Sequence, residues 1–206
     1  MHSVLEIIDE STDSAGPDLI SLDDLKLALV IEGATEDAAL QAAITMQSRL
    51  IAEYCNRRFG LAEALETFTF DRNEVMLERQ ALTLSLYPVV EIIEVSTAGA
   101  TADDIEFDPA SGRLWTGGCW DETVVAVLYR GGYDLPEEAP ARLQQAAIQA
   151  VKEGRTTGSR DPGLRELQHG DARVSYFTPS LSTASSGYLS ATVVDLIKPY
   201  RRLHVA

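Results

Sequence analysis

Residues 20–59, ISLDDLKLALVIEGATEDAALQAAITMQSRLIAEYCNRRF, read as a short helix, a turn and then one long helix. Ser21 is a good N-cap, and Asp24 three residues on is placed to return the bond as a capping box. Leu22, Leu25, Ala28 and Leu29 then fall on one helical face. Gly33 is expected to punctuate the end, with Thr35 capping the next helix and Glu36 and Asp37 in its first turn, where the macrodipole favours acids. In the long helix Leu40, Ala43, Ile44, Ile51, Tyr54 and Cys55 form one stripe, with Met46 and Leu50 beside it. Arg57 and Arg58 stand where a helix C-terminus prefers cations.

After Phe59 the period changes from helical to alternating. Glu66 to Asp71 alternates, as does Ala81 to Leu86, with the turn-like DRNE between them. Tyr87-Pro88 breaks the second run, and Val89 to Ser96 resumes it, with Ala98-Gly99-Ala100 as a turn. Ile105 to Asp108 and Arg113 to Trp115 flank a Pro-Ala-Ser-Gly turn. Thr123 to Tyr129 is the most apolar strand, stopped by Gly131-Gly132. Short strands at this spacing make a small antiparallel sheet or sandwich.

Pro136 and Pro140 mark a return to helix. Leu143, Ala146, Ala147, Ala150 and Val151 make one apolar face, which Gly154 is expected to close. Its small residues permit a close approach to the long helix of the first half. The expected fold class is therefore α+β: an α-helical bundle with an inserted small antiparallel β region and an extended C-terminal arm. The segments divide as a flexible acidic arm (1–18), helical parts (19–62 and 135–157) around the β insertion (63–134), and a loop with a C-terminal docking arm (158–206). In that last part 155–190 reads as loop, and Thr192 to Ile197 as a helical turn or two ended by Pro199.

At 206 residues and 45% hydrophobic, the chain is long and apolar enough to bury a real core. No apolar run approaches the roughly 20 residues that span a bilayer. The start lacks the basic and apolar regions of a signal peptide. Cys55 and Cys119 form no CxxC pair, so a reduced, intracellular protein is expected. The net charge is −15, and it is unevenly spread. Ten acids face Lys26 alone up to Ser48; residues 49–138 carry seventeen acids and seven bases; residues 139–206 carry five acids and nine bases. Binding nucleic acid by counterion release needs clustered Lys and Arg, which the first two thirds do not offer. The basic tail suits an acidic protein surface instead, including the acidic front of a neighbouring copy.

Catalytic signatures are missing. There is no nucleophile elbow, P-loop or dinucleotide fingerprint. His2, His169 and His204 lack metal-ligand spacing. Asp104, Glu106 and Asp108 share one strand face and are the only candidate cation cluster, though without EF-hand spacing, so a solvated strand face is the expected reading. His169, Asp171 and Ser175 sit in one stretch without an oxyanion device. Trp115, Trp120 and Tyr129 read as sheet core. No enzyme, cofactor or metal is expected.

The order of parts resembles the head-tail connector (adaptor) family of tailed phages and gene transfer agents. The likeness runs from LISLDDLKLAL and TEDAALQAAITMQSRLIAEYCNRRF through YPVVEIIEV, FDPASGRLW, VAVLYRGGYDLP and PARLQQAAIQAVKEGR. It ends at RDPGLRELQHGDARVSYF and VVDLIKPYRR, covering roughly residues 19–203. The resemblance implies a structural virion protein of the neck, assembled in the host cytoplasm. It implies a dodecameric ring between the portal protein and a stopper or tail protein, with DNA passing through and no membrane partner. Val193, Leu196, Ile197, Tyr200, Arg201 and Arg202, apolar and basic after a long polar stretch, are expected to bind the portal or a neighbouring subunit; the alternative is that this tail packs back on its own bundle. Competing readings are a stopper or tail-completion protein, or a free acidic protein such as a DNA mimic or a carbohydrate-type binding module.

Overall fold

The structure, a computed structural model of the chain, describes residues 2–9, 18–70, 81–96, 105–116, 120, 124–158, 166–169, 172–175 and 189–202. It is a mixed helix-and-sheet protein with antiparallel strand pairing, and it divides into two compact units. One comprises 1–17 with 57–138, the other 18–56 with 139–206.

The first unit is built from strands β1 (His2–Asp9), β2 (Ala62–Thr69), β3 (Ala81–Thr83), β4 (Val89–Ser96), β5 (Ile105–Asp108), β6 (Arg113–Thr116) and β7 (Val124–Gly131). Two antiparallel sheets result, in the orders β1-β2-β7-β4 and β3-β6-β5. Alternation decides the faces. Along β7, Val125, Val127 and Tyr129 are buried while Val124, Ala126, Leu128 and Arg130 look the other way. The inward set joins Phe68, Leu82, Leu84, Leu86, Leu114 and Trp120 in one core. Gly131 is still within β7, and both glycines after Arg130 are required by close backbone approach. A Cβ at Gly131 would stand 2.3 Å from the Leu86 carbonyl oxygen; at Gly132, where φ is +109°, it would stand 2.4 Å from that of Gly60.

The expected acidic arm needs correction over its first part. His2–Asp9 pairs antiparallel with β2, Ser3 opposite Phe68 and Ile7 opposite Ala64. The patch Val4 to Ile8 alternates, so Leu5 and Ile7 turn to the core while Val4 and Ile8 stay exposed. Four apolar residues, Val4, Leu5, Ile7 and Ile8, are enough to make a strand among the acids once β2 pairs with them. Residues 10–17, like the DRNE and Ala98–Ala100 turns, lie outside the described residues.

The second unit holds α1 (Leu22–Leu29), α2 (Asp37–Cys55), α3 (Ala141–Gly158), a hairpin of β8 (Glu166–His169) with β9 (Ala172–Ser175), and α4 (Ala191–Ile197) running into a 3-10 turn, Lys198–Tyr200. Ser21 caps α1 by accepting from the Asp24 N–H at 3.1 Å, and its hydroxyl donates to the Asp24 carboxylate at 2.6 Å. The helix ends earlier than Gly33 suggested: Val30 takes a left-handed conformation, φ 55°. Thr35 is not the cap of α2 either. Glu36 holds that position without a side-chain bond, because the preceding turn supplies a backbone bond from Asp37 to the Ala34 carbonyl. The Asp37 carboxylate meets Lys26 at 2.7 Å, tying the two helices together.

α3 contacts α1, α2 and α4, and its stripe of Leu143, Ala146, Ala147, Ala150 and Val151 is buried. It runs past Gly154 to Gly158. From α2 the core takes Leu40, Ile44, Ser48, Ile51 and Cys55. Ser48 is the one polar member, and its hydroxyl accepts from the Leu19 N–H at 3.0 Å. Each buried Leu or Ile is worth about 1.5–3 kcal/mol relative to exposure. Met46, expected beside the stripe, is 59% exposed. The expected loop 155–190 is corrected in part: it contains the antiparallel β8–β9 pair, with Leu167 in register with Val174 and His169 with Ala172.

Candidate interaction surfaces

The tail residues expected to bind a partner are divided by the fold. Val193 and Ile197 are fully buried, on the α4 face that packs against α3. Ser190 caps α4 by accepting from the Val193 N–H at 3.3 Å. Leu196, Tyr200 and Arg202 are half-buried, and Lys198 and Arg201 are exposed. The Arg201 guanidinium lies 5.2 Å from the centre of the Tyr54 ring. One residue further, the Arg202 N–H donates to the Cys55 carbonyl at 2.8 Å, satisfying a carbonyl at the end of α2. The buried Cys55 thiol donates to the Ile197 carbonyl oxygen at 3.8 Å. Tyr54 to Cys55 and Ile197 to Arg202 thus form one assembled corner, with basic groups on its outside.

The acidic strand cluster is otherwise engaged. Asp104 lies outside the described residues. The Glu106 carboxylate accepts from the Trp115 indole at 2.9 Å across the β5–β6 pair. Asp108 folds the following turn, accepting from the Ser111 hydroxyl and the Ala110 N–H, and these bonds hold its carboxyl below the ordinary value. Among the described residues no group of three or more His, Cys, Asp or Glu is placed to hold a metal ion. His169 and Ser175 sit at opposite ends of the β8–β9 ladder, paired with Ala172 and Glu166. Asp171 lies outside the described residues. Among them, too, no helix is long and apolar enough to cross a membrane.

Two buried polar groups escaped sequence reasoning. Glu66 is fully buried on β2 and accepts from the Ser85 N–H at 2.7 Å, the Ser85 hydroxyl at 2.5 Å and the Tyr129 hydroxyl at 3.0 Å. That hydroxyl in turn accepts from the Leu86 N–H at 3.0 Å. Burial first, and the Glu66 charge second, push the Tyr129 phenol well above its ordinary value, so it stays a donor. The group clamps residues 85–86 to the four-stranded sheet. The signal was available in ETFTFD: Glu66 shares its parity with Phe68 and Phe70, both buried. Arg57, read as a C-terminal helix cation, instead turns into the β unit. Its guanidinium stacks 3.7 Å over the Tyr87 ring and 4.8 Å from that of Phe59, and donates to the Tyr87 carbonyl.

On the outside of α2, Ala38, Ala42, Met46 and Leu50 line a shallow apolar groove bordered by Arg49. At the end of α1, Leu27 and Val30 are more than 80% exposed.

The family model for head completion proteins matches residues 18–152. Three solved structures share the fold over nearly the whole length. A chain from the neck of an empty gene transfer agent particle, computed with C6 symmetry, has a TM-score of 0.58 at 16% identity, covering 98% of this chain and 97% of that one. A chain from the neck of the native gene transfer agent particle, computed with C12 symmetry, has a TM-score of 0.53 at 16% identity and the same coverage. A chain from the virion of a native gene transfer agent particle has a TM-score of 0.55 at 15% identity, again covering 98% and 97%. No curated protein matches the chain.

Proposed function

The chain belongs to the head completion protein family, and from that premise we propose that it is the head-tail adaptor of a tailed phage or phage-like particle. In this reading it is a structural protein of the virion neck, not an enzyme. Copies form a homo-oligomeric ring, a dodecamer, between the portal protein and the next stopper or tail protein. The observation that carries the reading is the family match across 18–152, joined to a fold shared end to end with gene transfer agent neck chains.

The charge distribution supports it. A conduit for DNA must not hold it, and an excess of 15 negative charges repels phosphate. The folded C-terminal corner supports a division of labour in the tail. Val193 and Ile197 anchor α4 to its own unit, while Leu196, Tyr200, Arg201 and Arg202 present the outer, basic side to the portal or a neighbouring subunit.

Co-expression with the portal protein of the same genome tests this. The two should co-purify as a complex, and Lys198→Glu with Arg201→Glu should weaken that association at least tenfold while the protein stays folded. Co-purification unchanged by both substitutions would remove the tail from the contact, and a portal that never retains the chain would contradict the adaptor role.

A further inference from the structure

The outward face of the four-stranded sheet carries an ordered pattern of apolar and charged residues. Residues directly opposite in an antiparallel pair point to the same side. The register therefore lines up Glu6, Leu65, Leu128 and Glu94 as one row across β1, β2, β7 and β4. Two leucines are flanked by two glutamates. The neighbouring row is Val4, Thr67, Ala126 and Ser96. Val4 is 54% exposed, and Leu65 and Leu128 are only half covered. On the other side Arg130 lies between Glu63 and Glu91, so the described side chains of this part of the face include four carboxylates and one guanidinium. An apolar centre with an acidic rim calls for a partner surface with an apolar centre and basic ends.

Helix α3 offers such a surface. Opposite its buried stripe, α3 carries Arg142, Gln145, Ile148 and Lys152. Arg142, Gln145 and Lys152 are exposed and Ile148 is half-buried. The dimensions agree as well as the charges. Ten residues of helix separate Arg142 from Lys152 by about 15 Å, and three inter-strand steps separate Glu6 from Glu94 by about 14 Å. A helix laid across the strands would set its two cations on the two glutamates, with Ile148 over the leucine pair.

We propose that the outer face of the β1-β2-β7-β4 sheet is the subunit contact of the ring, and that its occupant is α3 of the adjacent copy. The contact uses different patches on the two partners, so it is head-to-tail and closes into a ring by rotation. It rests on the ring reading above and names the surfaces that make the ring.

The test uses the full chain co-expressed with its portal, imaged by electron microscopy, in four forms: unaltered, Glu6→Lys with Glu94→Lys, Arg142→Glu with Lys152→Glu, and all four changes together. Each reversed pair should reduce complete second rings at least tenfold, and the fourfold exchange should restore them. Complete rings from either reversed pair, or no restoration by the exchange, would overturn the sheet–α3 contact while leaving the ring itself standing. Absence of a ring from the unaltered chain would remove both. Should a reversed form fail to fold, a map of the unaltered ring decides directly: α3 of the neighbour lies over Leu65 and Leu128, or another surface does and the proposal fails.

Discussion

The Arg202 N–H donates to the Cys55 carbonyl at 2.8 Å, so the last described residue of the chain completes the end of α2. With Val193 and Ile197 buried beside α3, the tail is part of the helical unit rather than an appendage to it. Removing residues 191–206 would therefore cost folding as well as any contact. Ile197→Ala should destabilise the protein by about 2–4 kcal/mol, by lost burial and the cavity left behind. Urea denaturation followed by circular dichroism measures this; a loss under 1 kcal/mol would mean that α4 is not anchored as described.

The clamp around Glu66 gives a second expectation. Tyr129→Phe removes the donor to the carboxylate and the acceptor for the Leu86 N–H. Leaving such buried groups short of a partner costs about 1–3 kcal/mol. Thermal unfolding should show the loss, and Glu66→Gln, which keeps an acceptor but weakens the bonds, should lose less than Glu66→Leu. Equal effects of the two would contradict the hydrogen-bonding role.

Glycines separate sharply by position. Gly132→Ala would force a Cβ against the Gly60 backbone at positive φ, and the chain should express poorly or unfold early. Gly154 is exposed within α3, and a Cβ there meets only Gln47 Nε2 at 3.9 Å. Gly154→Ala should stabilise the protein by about 0.5–1 kcal/mol. Melting curves of the two variants should move in opposite directions.

Val30 holds a left-handed conformation that a β-branched residue tolerates poorly, and its side chain is 85% exposed. Val30→Gly removes about 1–2 kcal/mol of local strain, partly offset by the entropy of a freer unfolded chain. The expected result is unchanged or slightly raised stability. A marked loss would show that the valine makes contacts of its own.

Much of the fold was legible because it rests on local rules. Ser21 and Asp24 announced α1, the Leu143 to Val151 stripe announced α3, and Val89 to Ser96 and Ile105 to Asp108 coincide with β4 and β5. What escaped was decided at a distance. His2–Asp9 is a strand because β2 offers it an edge, Arg57 leaves its helix because Tyr87 offers a ring, and Val30 ends α1 before Gly33 is reached. The tail shows the limit most clearly. Its apolar-plus-basic pattern fits either a docking arm or a packed helix, and only the α3 surface decides that Val193 and Ile197 turn inward.

The adaptor role itself is tested most directly by electron microscopy of the purified portal with this chain added. A second ring of twelve copies stacked on the portal, coaxial with its channel, is the predicted result. A portal that remains bare while the added chain is folded and monodisperse would contradict the role.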